Sequence, residues 1–225
     1  MRKICTAFIL FFLTVSAWSQ NGSFTMDVSQ LRAETVYFDI EGSPYIDDVY
    51  RLGHVFFRGE KYTLFFRFNA FEGRVELKDR TKRLFFLQKD NILEPTFGGR
   101  SYKYLFYSEG DALKRGYLVP LASGEKVTLY LKPHKIYVEA KSPDNGYVAF
   151  TKPRYEDVSG YYLQYGKELP QAIKLGKRNL LAMLKGKETE LQHYIRQQEL
   201  DLRKEKDVIQ LIQYYNRINP ERNSI

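Results

Sequence analysis

The sequence predicts an α+β protein. An antiparallel, aromatic-rich β-sheet domain, either a meander or a partly closed barrel, precedes a small helical C-terminal unit. Three observations lead to this prediction. Short runs rich in Val, Ile, Tyr and Phe alternate with turn residues as far as Tyr165. After Gly166 the apolar residues recur at spacings of three and four, which is the helical period. The chain also contains 18 tyrosines and 16 phenylalanines, which offer much surface to bury in a core.

The N-terminal segment has the pattern of a secretory signal peptide. A short basic start precedes an apolar run from Ile4 to Val15, and small residues stand before a potential cleavage site after Ser19. The apolar run is shorter than the roughly twenty residues that a membrane-spanning helix needs. We therefore expect residues 1–19 to be removed on export. The remaining chain, which is not expected to span a membrane, divides into a β domain over 20–165 and a helical unit over 166–225.

Cysteine usage and charge limit the chemistry of the mature chain. The single cysteine, Cys5, lies within the predicted signal peptide, so we expect no disulfide, no thiolate metal site and no cysteine nucleophile. A chain of about 200 residues can bury enough surface to fold without disulfides. The whole chain has a formal net charge of +8, which falls to +6 when Arg2 and Lys3 leave with the signal peptide. A basic chain of this kind would suit anionic lipid head groups or acidic glycans. Because acidic and basic residues are interspersed along the chain, a mixed, solvated surface is the preferred interpretation.

Turn signals divide the β domain into short predicted strands. Glu72-Gly73 and Ser123-Gly124 each separate two runs, and Asn145-Gly146 predicts a tight hairpin because both residues tolerate positive φ. Such short connections favour antiparallel pairing, since parallel strands need a long crossover. Residues 152–157 are interpreted as a link. The predicted strands are Val36–Ile40, His54–Phe57, Tyr62–Asn69, Arg74–Lys78, Arg83–Gln88, Tyr102–Tyr107, Gly116–Leu121, Lys126–Lys132, Lys135–Ala140, Gly146–Thr151 and Tyr161–Tyr165.

Alternation along the predicted strand Tyr62–Asn69 indicates which face is buried. Every second residue from Tyr62 to Phe68 is apolar, whereas the intervening positions mix apolar, charged and polar side chains. This pattern is typical of a sheet with one face on a core and the other partly solvated. The run Leu84–Leu87 is apolar on both faces, which predicts a strand near the centre of the structure.

Two or three short helices are predicted in the C-terminal unit. Gly186 and residues 200–202 are the expected breaks, and Pro220 is expected to end the last helix. Helices this short are marginal alone, so each apolar stripe is expected to dock on the sheet or on a neighbouring helix rather than on a partner. The stripes are Leu180, Leu181 and Leu184; Leu191, Tyr194 and Ile195; and Val208, Ile209, Leu211, Ile212 and Tyr215.

The histidines show no metal-binding pattern. His54, His134 and His193 lie far apart, and no pair has the spacing of metal ligands. The sequence also lacks a nucleophile elbow and a phosphate-binding P-loop. We therefore predict no catalytic, cofactor-binding or metal-binding residue, and the ligand-binding residues stay undefined. A site that the fold assembles from distant residues is left open.

The remaining polar motifs are interpreted as structural. Gly98-Gly99-Arg100 predicts a turn between strands rather than a phosphate cradle. Asp47-Asp48 and Glu156-Asp157 are interpreted as turn-forming or capping carboxylates. Basic and aromatic residues alternate over Arg74–Lys89, a pattern that can bind single-stranded nucleic acid. The predicted export argues against such a partner, so no nucleic-acid binding is expected.

The abundant aromatic residues allow three interpretations. A transmembrane β-barrel would need strands of about nine to eleven residues, which are longer than most predicted here. A cavity lined by Phe and Tyr could hold an apolar ligand, since such sites are mostly apolar. An ordinary core is the preferred interpretation, because aromatic side chains bury a large area each.

Two stretches of the sequence carry recognisable motifs. The first comprises Gly42–Asp48, Gly53–Val55 and Arg67–Asn69, and the second spans Lys187–Asn216. The second stretch consists of a "KxxELxxYI" helix, a short "LDL" link and a "KxxDVIxLIxYYN" helix. Through these motifs the chain resembles a family of small uncharacterised exported proteins of Bacteroidota-type bacteria. The resemblance implies a location in the cell envelope and a sheet followed by a helical tail. It implies no catalytic residue.

The sequence therefore favours an exported cell-envelope protein that acts as a non-enzymatic binding or structural module. A first alternative is a periplasmic carrier of a lipid or another apolar ligand. A second is an envelope hydrolase whose Asp, Glu or His residues are brought together by the fold. No cofactor is expected, and the partner stays unknown, with an envelope protein or an apolar ligand as the candidates.

Overall fold

The structure is a computed structural model, and it describes residues 40–79, 81, 83–87, 93–140 and 151–218. In this part of the chain a β region precedes helices, so the predicted α+β class and its order are confirmed. The strands are β1 (Arg51–Phe57), β2 (Glu60–Asn69), β3 (Arg74–Lys78), β4 (Leu84–Phe86), β5 (Thr96–Phe97), β6 (Arg100–Ser101), β7 (Lys103–Glu109), β8 (Ala112–Ala122), β9 (Val127–Lys132), β10 (Lys135–Val138), β11 (Arg154–Asp157), β12 (Gly160–Tyr165) and β13 (Gln171–Ile173). The helices are α1 (Lys177–Met183), α2 (Glu188–Gln197) and α3 (Glu205–Ile218).

The described elements form three main layers. An antiparallel six-stranded sheet has the order β4-β3-β2-β1-β5-β6, and strands β7, β8, β9, β12 and β13 form a five-stranded barrel. Strands β10 and β11 form a separate two-stranded sheet. The barrel packs against the six-stranded sheet through side chains such as Tyr117 and Val119, and against the helices through Val127 and Leu129. The barrel is therefore the central layer, and of the two predicted forms of the sheet, a meander or a partly closed barrel, these strands form the barrel.

The barrel closes through one parallel pairing, between Gln171 of β13 and Ser108 of β7. Its other strand pairs are antiparallel. When five consecutive barrel strands alternate in direction, the first and the fifth run the same way, so closure of the ring has to be parallel. Short turns in the sequence predict antiparallel neighbours but not this closing contact.

Alternation along β2 gives the six-stranded sheet a buried inner face. Phe66 and Phe68 are fully buried on that face, as the sequence predicts, whereas Tyr62 near the other end of β2 is exposed. Phe66 stacks on Phe97 with ring centroids 5.4 Å apart, and Phe97 stacks on Tyr102 at 4.4 Å. Stacked rings of this kind add to the stabilisation from area burial. The aromatic residues at this end of the sheet are therefore core residues.

Strand β4 lies at the edge of the six-stranded sheet, so the prediction that Leu84–Leu87 forms a strand near the centre is wrong. Phe85 packs against the inner-face cluster. On the other side, the Arg74 guanidinium lies 4.0 Å from the centroid of the Phe86 ring. All three residues of β4 are half-buried, which explains why apolar side chains occupy both of its faces. Distant side chains decide that coverage, and a short apolar run does not reveal it.

The three helices dock their apolar stripes on the barrel and on each other, as predicted. Leu180, Leu191 and Leu211 are fully buried in one cluster that also contains Leu129 of β9. Gly186, with a φ of 83°, separates α1 from α2 as the sequence predicts. Because helices of seven to fourteen residues are marginal in isolation, this packing stabilises each of them.

Two hydrogen bonds from one side chain attach α3 to the barrel. The Asn216 Oδ1 accepts a hydrogen bond of 2.9 Å from the Val127 backbone N–H, and the Asn216 Nδ2 donates one of 2.8 Å to the Val127 carbonyl. The side chain lies so close to Gly124 that a Cβ at that position would be 2.2 Å from the Asn216 Cγ. The predicted turn at Ser123-Gly124 therefore needs glycine for the close approach of a helix.

Other boundaries differ from the predicted ones in an understandable way. The two-residue strands β5 and β6 flank Gly98 and Gly99, whose φ values of 57° and 71° confirm the predicted turn. Strand β11 occupies most of the segment interpreted as a link, and β13 lies within the predicted helical unit. Strands this short carry no readable alternation. Residues 1–19, the hairpin turn at Asn145-Gly146, Pro220, and most of Val36–Ile40 and of Gly146–Thr151 lie outside the described residues.

A buried cluster on the barrel strands predicts that the stability of the protein is sensitive to alkaline pH. The cluster consists of Tyr107, Leu118, Tyr130 and Tyr162. Burial raises the pKa of Tyr162 to about 12, from an ordinary value near 10. The native state then holds this proton more tightly than the unfolded state, so the stabilisation is complete below about pH 10 and is lost as the pH rises toward 12.

We expect the free energy of unfolding to fall by on the order of 2 kcal/mol between about pH 10 and about pH 12 through Tyr162 alone. Urea denaturation at a series of alkaline pH values measures this loss. The variant Tyr162→Phe is expected to have a shallower alkaline decline than the parent protein. An equal decline in both proteins would contradict the assignment to this side chain.

Candidate functional site

A concave pocket of about 270 Å³ lies on the inner face of the six-stranded sheet, at an end where the barrel contributes no lining residue. We call it the sheet pocket. Among the described residues that line it, Asp79 alone is charged, and the others are aliphatic or aromatic. Pockets that bind small molecules are lined in this way, mostly by apolar side chains with few polar groups. The residues that line the sheet pocket are Val55, Phe57, Tyr62, Leu64, Leu77, Asp79, Phe85, Leu87 and Leu93.

Strand register brings these side chains together. Val55 of β1 lies opposite Tyr62 of β2, and Leu77 of β3 lies opposite Phe85 of β4. The apolar face of β2 continues beyond the part that the barrel covers, so Leu64 is only half-buried. The sequence shows the apolar face over Tyr62–Phe68, but it does not show where that face leaves the core.

Asp79 lines the sheet pocket, and residues of the following loop bind its carboxylate. Its Oδ1 accepts hydrogen bonds from the Thr81 hydroxyl and from the backbone N–H groups of Thr81 and Arg83. Its Oδ2 lies 3.1 Å from the Arg83 Nε. The hydroxyl and amide donors hold the pKa of Asp79 below its usual range, so the group is ionised and its charge is offset by Arg83. The described residues of the pocket therefore present no free charge to a ligand.

The outer face of the same sheet exposes apolar side chains as well. Leu52 and Phe56 of β1 are 62% and 57% exposed, and Phe65 of β2 lies directly opposite Leu52. His54 lies between them along β1, with its ring 5.7 Å from that of Phe56. Clustered exposed apolar residues of this kind are typical of surfaces that contact other molecules.

The outer face also carries a carboxylate that is buried and structural. Glu76 is 3% exposed, and the Arg67 Nη2 lies 2.7 Å from its Oε2. The Tyr50 hydroxyl donates a hydrogen bond of 3.0 Å to the same oxygen. The Arg67 guanidinium also lies 3.4 Å from the centroid of the Tyr45 ring. Burial, followed by the negative charge of Glu76, raises the pKa of Tyr50 well above its usual range, which keeps this hydroxyl a donor.

The two acidic pairs singled out in the sequence are engaged in local contacts. Asp47 and Asp48 line a polar cleft of about 550 Å³ together with Arg51. The Arg51 Nε donates a hydrogen bond of 2.7 Å to Asp47, and this bond holds the pKa of Asp47 below its usual range. Glu156 pairs with Arg154, and Asp157 accepts a hydrogen bond of 2.9 Å from a backbone N–H two residues later. Asp47 is thus an ion-pair partner rather than a proton donor.

A third concavity, of about 170 Å³, lies where the end of β9 meets the middle of β8. We call it the basic pocket. Arg115 and Tyr117 of β8, Lys132 of β9 and the following His134 contribute to its lining, and the turn between β2 and β3 contributes Glu72. Arg115 and Tyr117 are two residues apart on one strand and therefore point to the same face of the barrel.

Two donors of the basic pocket are buried without a partner. The Tyr117 hydroxyl and the Arg115 Nε are inaccessible to solvent and have no hydrogen-bond partner in the described part of the chain. Buried polar groups are nearly always hydrogen-bonded, so two such donors on one strand call for an explanation. Burial raises the pKa of Tyr117 far above its usual range, which keeps the hydroxyl protonated. No local pattern in the sequence marks this site, because Arg115 follows another cation, Lys114, and precedes a glycine.

The charges around the basic pocket do not balance. Glu72 pairs with Arg74 at 2.5 Å, and Glu109, which lies nearby, pairs with Lys114 at 2.6 Å. Arg115 and Lys132 make no ion pair with any residue that the structure describes. Instead, the Arg115 guanidinium lies 4.8 Å from the centroid of the Tyr104 ring, and the Lys132 ammonium lies 5.5 Å from that of Tyr107.

Burial lowers the pKa of Lys132, because the charged ammonium is less well solvated in the pocket than in water. The nearby carboxylate of Glu109 opposes that effect only in part, since Glu109 is held by Lys114. The basic pocket therefore concentrates positive charge that the described residues do not neutralise.

The three histidines lie on separate elements. His54 is on β1, His134 follows β9 and His193 lies on the exposed side of α2. Among residues 40–79, 81, 83–87, 93–140 and 151–218, no group of three His, Cys, Asp or Glu side chains has the geometry of a metal site. Of the three, only His134 lines one of the pockets described above.

No protein family, no curated protein and no solved structure matches this chain. None of the helices in the described residues is both long enough and apolar enough to cross a membrane. The fold and its pockets define an α+β protein with an apolar concavity on a sheet and a basic concavity on a barrel.

Proposed function

We propose that this chain is an exported protein of the cell envelope that acts as a non-enzymatic binding module. The sheet pocket is its binding site for an uncharged apolar group, such as part of one acyl chain. The observation that carries the proposal is the apolar lining of that pocket, in which Asp79 is already neutralised by Arg83. Because the described part of the lining offers no unpaired charge, an uncharged ligand is favoured.

The size of the sheet pocket limits what it can enclose. Its volume of about 270 Å³ lies just below the range of roughly 300–1,000 Å³ that is typical of small-molecule sites. We therefore infer that it takes one apolar segment of a larger envelope component rather than a whole lipid. The exposed Leu52 and Phe56 on the outer face of the sheet offer further apolar surface for contact.

The N-terminal sequence supports export. The basic start, the apolar run from Ile4 to Val15 and the small residues before Ser19 are the features that secretion machinery recognises. Native mass spectrometry of the protein purified from its host's envelope fraction tests the export and the ligand together. Loss of residues 1–19 and an additional mass of lipid size are expected. An intact N-terminus would contradict export, and a bare protein would count against the ligand.

Binding at the sheet pocket is tested with Nile red, a neutral apolar dye whose fluorescence rises in apolar sites. We expect the wild-type protein to bind the dye. The variant Leu64→Trp, which fills the pocket with a larger side chain, is expected to bind at least tenfold more weakly. The matched control is Leu113→Trp, since Leu113 is 62% exposed and lies outside the pocket.

The control variant is expected to keep the wild-type affinity within about twofold, because a surface substitution seldom perturbs a distant site. Thermal denaturation of each variant shows whether it is folded. Equal dye binding by the two tryptophan variants would contradict the assignment of the sheet pocket. Absence of dye binding by the folded wild-type protein would contradict the proposed function.

A further inference from the structure

We propose that the basic pocket is a second binding site, specific for a phosphate group carried by a small molecule or by a lipid head group. Among the described residues, five donor-bearing side chains line it, namely Tyr104, Arg115, Tyr117, Lys132 and His134. This site is independent of the apolar sheet pocket, because no residue lines both.

The charge of the pocket matches a dianion. Arg115 and Lys132 are two cations without a carboxylate partner in the described part of the chain, whereas Glu72 and Glu109 are each paired with another cation. A phosphate monoester carries a charge between about −1.5 and −2 at neutral pH. Binding of such a group would neutralise both free cations, and a single carboxylate would neutralise one.

The donors of the pocket match the oxygen atoms of a phosphate. Tyr117 is 3% exposed, and neither its hydroxyl nor the Arg115 Nε has a hydrogen-bond partner among the described residues. Hydrogen bonds from ionised donors to phosphate oxygens are short and about twice as strong as neutral ones. A phosphate with three terminal oxygens can accept from the guanidinium, the ammonium and the hydroxyl together, and thereby satisfy both orphan donors.

The fold holds these donors on rigid elements. Arg115 and Tyr117 lie on β8, which pairs with β7 along seven residues. Lys132 ends β9, where it lies opposite Gly160 of β12. The backbone N–H of His134 donates a hydrogen bond of 3.1 Å to the Ser159 hydroxyl, which fixes the turn after β9. Donors placed on strands are preorganised and lose little freedom on binding.

The volume of the basic pocket, about 170 Å³, accommodates a phosphate group. A water molecule occupies about 30 Å³ of the liquid, so the pocket has room for several waters or for one tetrahedral anion that displaces them. The buried ring of Phe68 forms part of its wall, and charge interactions are stronger beside such an apolar surface than in open water.

Isothermal titration calorimetry with inorganic phosphate tests the site in solution. Cosedimentation with vesicles of phosphatidylcholine containing phosphatidic acid tests a lipid-borne phosphate. The wild-type protein is expected to bind at least one of these probes, and the double variant Arg115→Gln, Lys132→Met is expected to bind it at least tenfold more weakly. The matched control is Arg178→Gln, Lys61→Met, which removes the same two charges from exposed positions outside the pocket.

The outcomes separate the sources of the phosphate. Binding of inorganic phosphate that the double variant loses identifies a soluble phosphate ligand. Binding only to vesicles with phosphatidic acid, lost in the double variant but kept in the control, identifies a lipid head group. Equal losses in the double variant and the control would show non-specific attraction by net charge and would overturn the proposal. Binding of neither probe by the wild-type protein, or equal binding of acetate, would overturn it too.

A second variant keeps the test decisive if the double variant does not fold. Tyr117→Phe removes one unpartnered hydroxyl and leaves every charge in place. We expect it to weaken phosphate binding several-fold while the protein melts at the same temperature or higher. Unchanged phosphate affinity in this folded variant would overturn the role of the hydroxyl. These results do not depend on Nile red, so this site and the sheet pocket can fail separately.

Discussion

The variant Arg67→Met is expected to lower the free energy of unfolding by about 3–5 kcal/mol, because it leaves the buried carboxylate of Glu76 without its cation. The Arg67 Nη2 lies 2.7 Å from the Glu76 Oε2, and their side chains are only 18% and 4% exposed. The Arg67 Cζ lies 3.4 Å from the centroid of the Tyr45 ring and 4.4 Å from that of Tyr50. The two rings shield the ion pair from water. Urea denaturation of the parent and the variant measures the difference.

The control for this prediction is a surface ion pair on the same sheet. Arg51 lies 2.7 Å from Asp47, but the two side chains are 52% and 44% exposed. Arg51→Met should therefore lower the free energy of unfolding by less than about 1 kcal/mol, because exposed ion pairs contribute little to stability. The double variant Arg67→Met, Glu76→Gln should lose less unfolding free energy than the two single variants lose together. The reason is that it also removes the carboxylate charge that Arg67→Met leaves without a partner. Strict additivity would contradict the proposed coupling.

The variant Gly53→Ala is expected to destabilise the protein by about 3 kcal/mol or more through overpacking. A Cβ at this position would lie 2.3 Å from the Thr96 carbonyl oxygen and 2.5 Å from the Phe97 Cβ. Strands β1 and β5 pair only at Gly53–Phe97 and His54–Thr96, so the clash falls on their only two pairings. The displaced Phe97 would also lose its stacking on Phe66.

The control for this change is Gly160→Ala in the barrel strand β12. A Cβ there would meet its nearest neighbour, the Tyr162 Cε2, at 3.7 Å, which is an ordinary contact. The free energy of unfolding of the Gly160→Ala variant should stay the same or rise by less than about 1 kcal/mol, since alanine lowers the entropy of the unfolded chain. Chemical denaturation of both variants gives the comparison. Equal destabilisation would show that the close approach to β5 is not the cause.

Both predictions depend on contacts that the sequence does not reveal. The alternation of Tyr62–Phe68 correctly predicts a buried face, and Arg67 and Glu76 appear in the sequence only as charged residues on neighbouring strands. Their burial comes from Tyr45 and Tyr50, which approach from a segment that precedes the first strand. Likewise, nothing around Gly53 in the sequence indicates the close approach of β5.

The two candidate pockets also depend on contacts between distant residues, the basic pocket more than the sheet pocket. The apolar face of β2 was visible in the sequence, and only its extension beyond the barrel makes the sheet pocket. The basic pocket joins β8, the end of β9 and the turn between β2 and β3, so no local pattern reveals it. The prediction that Leu84–Leu87 lies near the centre failed for the same reason, because neighbours from other strands decide whether an apolar run is central or at an edge.

The sequence by itself determined the class of fold, the positions of most strands and the docking of the three helices, because side-chain period and turn chemistry are local properties of the chain. The tertiary structure alone decided the parallel closure of the barrel and the hydrogen bonds between Asn216 and Val127. It also decided that the cations of the basic pocket have no ion-pair partner among the described residues. These features arise between residues far apart in the chain, and their energies depend on burial, which only the assembled layers create.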